Sequence, residues 1–237
     1  MFEIRNEADR ATVYLYGTIG RDWWSDEEEN TAKSFSKTLD ELNPKPLDIR
    51  IDSTGGDVYE GFAIASAIQR YDGETVSHID GIAASAASYI AVMADRVVMT
   101  DYAQLMIHDA WTMAVGNASE MLDTAARLDA LDWTICGILA SRSGKEPEEV
   151  KAAMDAETWY SADEALEAGL CDEVVVTGQR IAASLDMEIA KRFNRIPEEL
   201  LAEDEPAGES QTVDTVVIDE GGILVLGGKV YDERKCQ

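Results

Sequence analysis

Residues 11–17, ATVYLYG, alternate apolar and polar positions with the two-residue period of a strand, and Gly17 ends the run. The stretch from Asp26 to Leu42 begins polar and acidic, then spaces Phe35, Leu39 and Leu42 along one helical face; Pro44 and Pro46 stop it. Strict alternation returns over Leu47–Asp52 and predicts a second strand, which runs into the turn Ser53-Thr54-Gly55-Gly56-Asp57. A helix should follow, with Val58, Phe62, Ala65 and Ile68 on one side, and then a short strand around Thr75–Ile79. Small residues fill Gly81–Ala94 and lead to a strand at Arg96–Thr100. Strand, turn and helix recurring in this order define an α/β architecture with crossover connections.

Ser119–Ser143 has the pattern of a long amphipathic helix. Met121, Ala125, Leu128, Leu131, Ile135 and Ile138 share one stripe, and Gly144 can close the C-terminus. Pro147 suits the first turn of another helix. Ser161-Ala162-Asp163-Glu164 has the form of a capping box opening a short helix that Gly169 stops, and Glu173–Thr177 reads as a strand. Near residue 180 the texture changes. Residues 181–196 space Ile181, Leu185, Ile189 and Phe193 as a helix would. Residues 197–212 are rich in Glu, Asp and Pro, hold no basic residue, and read as a linker. Alternation resumes over 213–231 around Gly221-Gly222, as in a hairpin. The organisation expected is one domain over residues 1–180 and a C-terminal extension over 181–237.

Charge narrows the range of partners. The 237 residues carry a formal charge of −27, a field that repels phosphate backbones and anionic lipid surfaces. Nucleic acid and membranes are therefore not expected as partners, and the plain reading of the charge is a solvated acidic surface. No segment approaches the roughly 20 apolar residues of a membrane span, and MFEIRNEADR lacks the apolar run of a signal peptide. Cys136, Cys171 and Cys236 form no CxxC pair and outline no disulfide framework, which fits a reducing compartment and a cytoplasmic location.

The chain has two histidines, His78 and His108, so any histidine-dependent chemistry must use one of them. His78 lies within a short strand and reads as a sheet residue of no special role. His108 ends the apolar run Leu105-Met106-Ile107, where a strand would deliver it to a sheet edge. In Gly81-Ile82-Ala83-Ala84-Ser85-Ala86-Ala87-Ser88, a serine among alanines sits where a strand enters a helix. Small neighbours let a substrate backbone approach, and N–H groups at a helix start can stabilise an oxyanion. The same segment also suits a close helix contact. Ser53-Thr54-Gly55-Gly56-Asp57 offers glycines and free N–H groups, or simply a strand-to-helix turn; it has no GxxxxGK[ST] phosphate-loop spacing.

Taken in order, STGGD, GIAASAAS and MIHDA, each after a strand, resemble the ClpP family of serine peptidases, in which a PGG-type turn precedes GxAAS and a MIH motif follows. The resemblance extends from residue 11 to about 177. The wording of 157–175, ETWYSADEALEAGLCDEVV, is closest to the ClpP-like head-maturation proteases of tailed phages. The resemblance implies the ClpP/crotonase-like fold of repeated β-β-α units with a protruding handle helix at 119–143, through which rings interlock. It implies Ser85 as nucleophile, His108 as general base, and the N–H groups of Gly56 and Ala86 as oxyanion donors. The family's third residue is an aspartate before the closing SA motif. Here the matching position is Glu157, with Asp155 as the alternative if the loop bends. Ser88, one turn beyond Ser85, should be dispensable.

The implied reaction is peptide-bond hydrolysis on protein or peptide substrates inside a homo-oligomeric ring, with no metal or organic cofactor. Implied partners are capsid or scaffold proteins, or an ATP-driven unfoldase. A crotonase-type acyl-CoA enzyme would not need the Ser85–His108 pair, and a serine–lysine protease finds no lysine between Lys45 and Lys145. The non-enzyme alternative is a scaffold subunit retaining a degenerate protease fold, which Glu157 leaves open.

Overall fold

The computed structural model describes residues 3–20, 30–42, 45–177, 191, 193–201, 223–226 and 229–232. Strands β1 (Glu3–Asn6) and β2 (Ala11–Tyr16) pair antiparallel. From β2 a parallel sheet extends through β3 (Leu47–Ser53), β4 (Thr75–Ala84), β5 (Arg96–Thr100) and β8 (Glu173–Val175). Two further strands, β6 (Gln104–Ile107) and β7 (Thr158–Ser161), branch from β4: β6 lies parallel to it, and β7 runs antiparallel to β6. Helices α1 (Ala32–Glu41), α2 (Val58–Gln69) and α3 (Ala86–Ala91) make the crossovers between parallel strands. Helix α4 (Ala118–Ser143) follows β6, and α5 (Pro147–Asp155) and α6 (Ala162–Glu167) flank β7. The β-β-α unit thus occurs as β1-β2-α1 and again as β5-β6-α4.

Between those two units β4 does the work of two strands. Val76–Ile79 pair with Arg96–Met99 of β5, whereas Ile82–Ala84 pair with Gln104–Met106 of β6. The register against β3 shifts between Ile51 and Ser53 at the same level. The strand foreseen at Thr75–Ile79 therefore continues to Ala84. Gly81, Ala83 and Ala84 hide that continuation, because small residues carry little strand preference.

Alternation in β2 and β3 sends Ala11, Val13, Leu15, Leu47, Ile49 and Ile51 into one core with Phe35, Ile64, Ile68 and Ile90. In α2 the buried face is Gly61, Ile64, Ala65, Ala67 and Ile68; Val58 and Phe62 are only partly covered. Gly61 makes that rotation possible: a Cβ there would lie 2.2 Å from the hydroxyl oxygen of Tyr89, which donates to the Val58 carbonyl at 3.0 Å.

A reciprocal capping box of Asn117 and Glu120 starts α4, and Gly144, at φ 69, ends it. The expected stripe does not lie on one environment. Ile135 is buried with Cys136, Leu139 and Ala140, whereas Met121 and Leu128 are half-buried. The large apolar side chains exposed on the helix, Leu122 at 72% and Trp133 at 46%, lie off that stripe. The reason is that only the C-terminal half of α4 packs on the core. No helix among the described residues is long and apolar enough to cross a membrane. Cys136 and Cys171 are buried and free.

Met1–Leu201 forms one compact unit and Ala202–Gln237 another. The helix foreseen over 181–196 lies largely outside the described residues, and 191 and 193–196 are not helical. Of the linker foreseen over 197–212, Glu198–Leu201 form a single turn, α7, with Leu200 buried; the rest lies outside the described residues. In the second unit β9 (Ile223–Leu226) and β10 (Lys229–Asp232) pair antiparallel with Leu226 opposite Lys229. Of the hairpin foreseen over 213–231 around Gly221-Gly222, only these strand residues are described; Gly221-Gly222 lies outside the described residues.

Candidate active site

Ser85 stands between the end of β4 and the start of α3 with φ 54 and ψ −122, a conformation that side-chain-bearing residues rarely adopt. Several contacts hold it there. Its N–H donates to the Met106 carbonyl at 3.0 Å, and its carbonyl accepts from the Ser88 N–H at 3.0 Å and the Ser88 hydroxyl at 2.6 Å. Behind the turn lies Gly55, at φ 90. A Cβ on it would sit 2.7 Å from the Ala84 oxygen and 2.8 Å from both the Ala86 nitrogen and the Ser85 Cβ.

His108 follows β6, which lies beside the end of β4 with Met106 opposite Ala84. Two residues further on, the imidazole Nε2 is 2.8 Å from Ser85 Oγ. Burial pushes the pKa of His108 down, against an upward pull from the Glu157 charge, and the net direction is down. The ring faces Phe193, centroid to centroid 5.9 Å, and Phe193 in turn stands edge-on to Trp159 at 5.3 Å.

Glu157 lies just past Ala156, the C-cap of α5, with φ 51, and is 7% exposed. Its carboxylate accepts from the Asn194 N–H at 2.7 and 3.0 Å, from Asn194 Nδ2 at 3.1 Å and from the Arg195 N–H at 2.6 Å. Burial raises its pKa, but these donors, with the nearby His108, outweigh that and hold the group below the usual carboxylate range. Glu157 and His108 interact through charge; no hydrogen bond joins the two side chains among the described contacts. Asp155 is exposed and ion-paired with Lys151, which also binds Asp109 at 3.0 Å.

The two backbone groups singled out in the sequence flank the serine differently. Ile19 donates to the Gly55 carbonyl and accepts from the Asp57 N–H, both at 2.9 Å, so the N–H of Gly56 between them turns away from Ile19. No side chain fits at Gly56, where a Cβ would come within 2.1 Å of the Ile19 oxygen. Ala86 is the first residue of α3, so its N–H lacks an intrahelical acceptor. His78 is elsewhere on the sheet, 3.1 Å from Asp48, which Arg10 also holds.

Three contributors escape sequence reasoning. The Gly-Gly pair signals a close approach, but not that Gly55 is the one against the serine. Ser88 sits at the spacing that lets a hydroxyl reach back one turn. Phe193–Arg195 meet Glu157 across 37 and 38 residues, a contact that no local pattern announces. Among the described residues no group of three His, Cys, Asp or Glu side chains is placed to hold a metal ion.

What the fold and the comparisons define is a serine-type peptidase. A family model described as Clp protease matches residues 24–178, and the chain belongs to that family. Its relatives include the ATP-dependent Clp protease proteolytic subunit of Bacteroides fragilis, 33% identical over 150 residues, covering 62% of this chain and 72% of that protein. The proteolytic subunit of Bacteroides thetaiotaomicron is 31% identical over 150 residues, 62% of this chain and 68% of its own length. That of Chlorella vulgaris is 33% identical over 134 residues, 56% and 67%.

Proposed function

We propose that the chain is a serine endopeptidase in which Ser85 attacks the scissile carbonyl and His108 takes its proton, then returns it to the leaving amine. The observation that carries this is the 2.8 Å approach of Nε2 to Oγ at a strained strand-to-helix turn. A downward-shifted imidazole is neutral near pH 7, as a base must be. The N–H groups of Gly56 and Ala86 are the oxyanion donors, each expected to lower the barrier by about 3 kcal/mol. Glu157 is the acid; Asp155 is engaged by Lys151 instead.

The chain works in a closed ring that encloses the sites, with α4 contributing to its contacts. Relatives named as subunits of an ATP-dependent protease support delivery of substrates by an ATP-driven unfoldase. The wording of residues 157–175 supports a narrower role, maturation of phage heads, with capsid or scaffold proteins enclosed during assembly as the substrates. A fluorophosphonate probe tests the chemistry: covalent labelling at Ser85, lost in Ser85→Ala, supports the peptidase, and no labelling of the folded protein supports a scaffold subunit. Co-expression with a capsid protein, followed by mass spectrometry of its fragments, tests the narrower role.

A further inference from the structure

The segment Phe193–Arg195 comes from beyond the last strand of the main sheet and closes over the acid side of the site. It spends its donors on one acceptor. The backbone N–H groups of Asn194 and Arg195 and the Asn194 side chain make four contacts, of 2.6 to 3.1 Å, to the two oxygens of Glu157. The Asn194 N–H is shared between the two oxygens, so three donors hold the carboxylate from this side. The segment is anchored on either side of those bonds. Arg195 donates from its guanidinium to the Ala156 carbonyl at 3.0 Å, and Phe193 fits between the rings of His108 and Trp159.

A glutamate needs such a device. Its side chain has three rotatable bonds, and here it leaves a residue at φ 51 just past the end of α5, where no neighbouring helical turn restrains it. Left to itself, a buried carboxylate without partners would also take up a proton, because burial disfavours its charge.

We infer that Asn194, with the backbone of Arg195, is the positioning element for Glu157: it holds the carboxylate in one place, while the adjoining Phe193 packs against the His108 imidazole. This rests on the reading of Glu157 as the acid of the Ser85–His108 site. The groups that act on the carboxylate are the donors of residues 194 and 195 and, through charge, His108; the Arg195 guanidinium is turned to Ala156, and Asp155 is held by Lys151.

The test compares full-length Asn194→Ala, Asn194→Asp and Glu157→Gln with the parent, using a fluorogenic peptide at pH 5.5 to 8.5 (a range of roughly one unit or more on either side of an ordinary imidazole pKa). Asn194→Ala is expected to lower kcat about tenfold with KM within about twofold, the pattern of a lost alignment rather than lost binding. Asn194→Asp places a second carboxylate against Glu157. Its deficit relative to the parent should be larger at pH 8.5 and shrink toward pH 5.5, where the pair shares a proton and a donor is restored. A merely structural contact would not give that pH-dependent ratio. Asn194 is exposed, so loss of fold by circular dichroism in either variant would overturn the inference, since a positioning residue leaves the fold standing. Asn194 variants within about twofold of the parent while Glu157→Gln is impaired overturn it and leave the acid reading intact. A rise in kcat on Asn194→Ala also overturns it, and identifies the segment as a latch that withholds Glu157. If Glu157→Gln itself matches the parent, the acid reading fails and the inference with it.

Discussion

The buried hydroxyl of Ser88 donates to the carbonyl of Ser85 at 2.6 Å, from one turn further along α3. This bond fastens the carbonyl of a residue whose φ is 54. Ser88, expected to be dispensable because it lies one turn beyond Ser85, thus reaches back to hold that residue's carbonyl. Ser88→Ala should destabilise the protein by about 1 kcal/mol and lower kcat several-fold, the Ser88 N–H still holding the carbonyl at 3.0 Å. Thermal unfolding and peptide turnover measure the two effects. Unchanged turnover would mean that the backbone alone holds the turn.

The pH profile follows from the environment of His108. Its pKa is lowered by burial and only partly restored by Glu157, so the acidic limb of kcat/KM should fall below the ordinary imidazole value of about 6.5. The sign for Glu157→Gln is definite: removing the negative charge removes the upward pull, and the limb moves to still lower pH while the rate falls. A limb that moves up would show that Glu157 does not act on His108.

Two glycines with positive φ separate steric from conformational cost. At Gly144, φ 69, a Cβ meets nothing within 4 Å, and Gly144→Ala should cost about 1 kcal/mol with activity retained. At Gly55, φ 90, the same methyl strikes the backbone of Ala84 and Ala86 and the Cβ of Ser85. Gly55→Ala should displace Ser85, abolish fluorophosphonate labelling and cost about 1–3 kcal/mol of stability. Equal labelling of the two variants would refute the distinction.

Assembly has its own signature. Leu122 and Trp133 stand exposed on α4, and Trp111, Met113 and Val115 are exposed just before it. Such a concentration of apolar surface is unusual for a lone chain. Light scattering should give the mass of a closed ring, and Leu122→Glu should lower it. A chain ending at Leu201 should keep the parent number of subunits, whereas an earlier cut removes the buried Leu200 and loosens Phe193–Arg195. A monomeric parent would rule out the ring.

Local chemistry was legible wherever a short stretch of chain decides the outcome. The Ser161–Glu164 capping box, Pro147 at a helix start and Gly144 at a helix end are read from the residues themselves. Ser85 and His108 could be paired because STGGD, GIAASAAS and MIHDA, occurring in that order, resemble the ClpP family. Long-range contacts were not legible. The far half of β4 is built of small residues without strand character, and its partner β6 is chosen by packing. Residues 193–196, the described end of the helix foreseen over 181–196, are not helical because the Phe193 ring packs on Trp159 and His108, and the N–H groups after it serve Glu157 rather than carbonyls of their own turn.

The switch of β4 from one neighbour to another gives the site an uneven resistance to loosening. Ser85 is joined to Met106 by its own N–H, at the end of a ladder inside the central sheet, so Ser85 and the strand leading to His108 belong to one cooperative block. Glu157 is tethered by a surface segment arriving from another part of the chain. Fluctuations that detach the segment leave the serine and the imidazole together. On warming, turnover should decline before the sheet melts, with amide exchange at Asn194 and Arg195 quickening well ahead of exchange at Ser85.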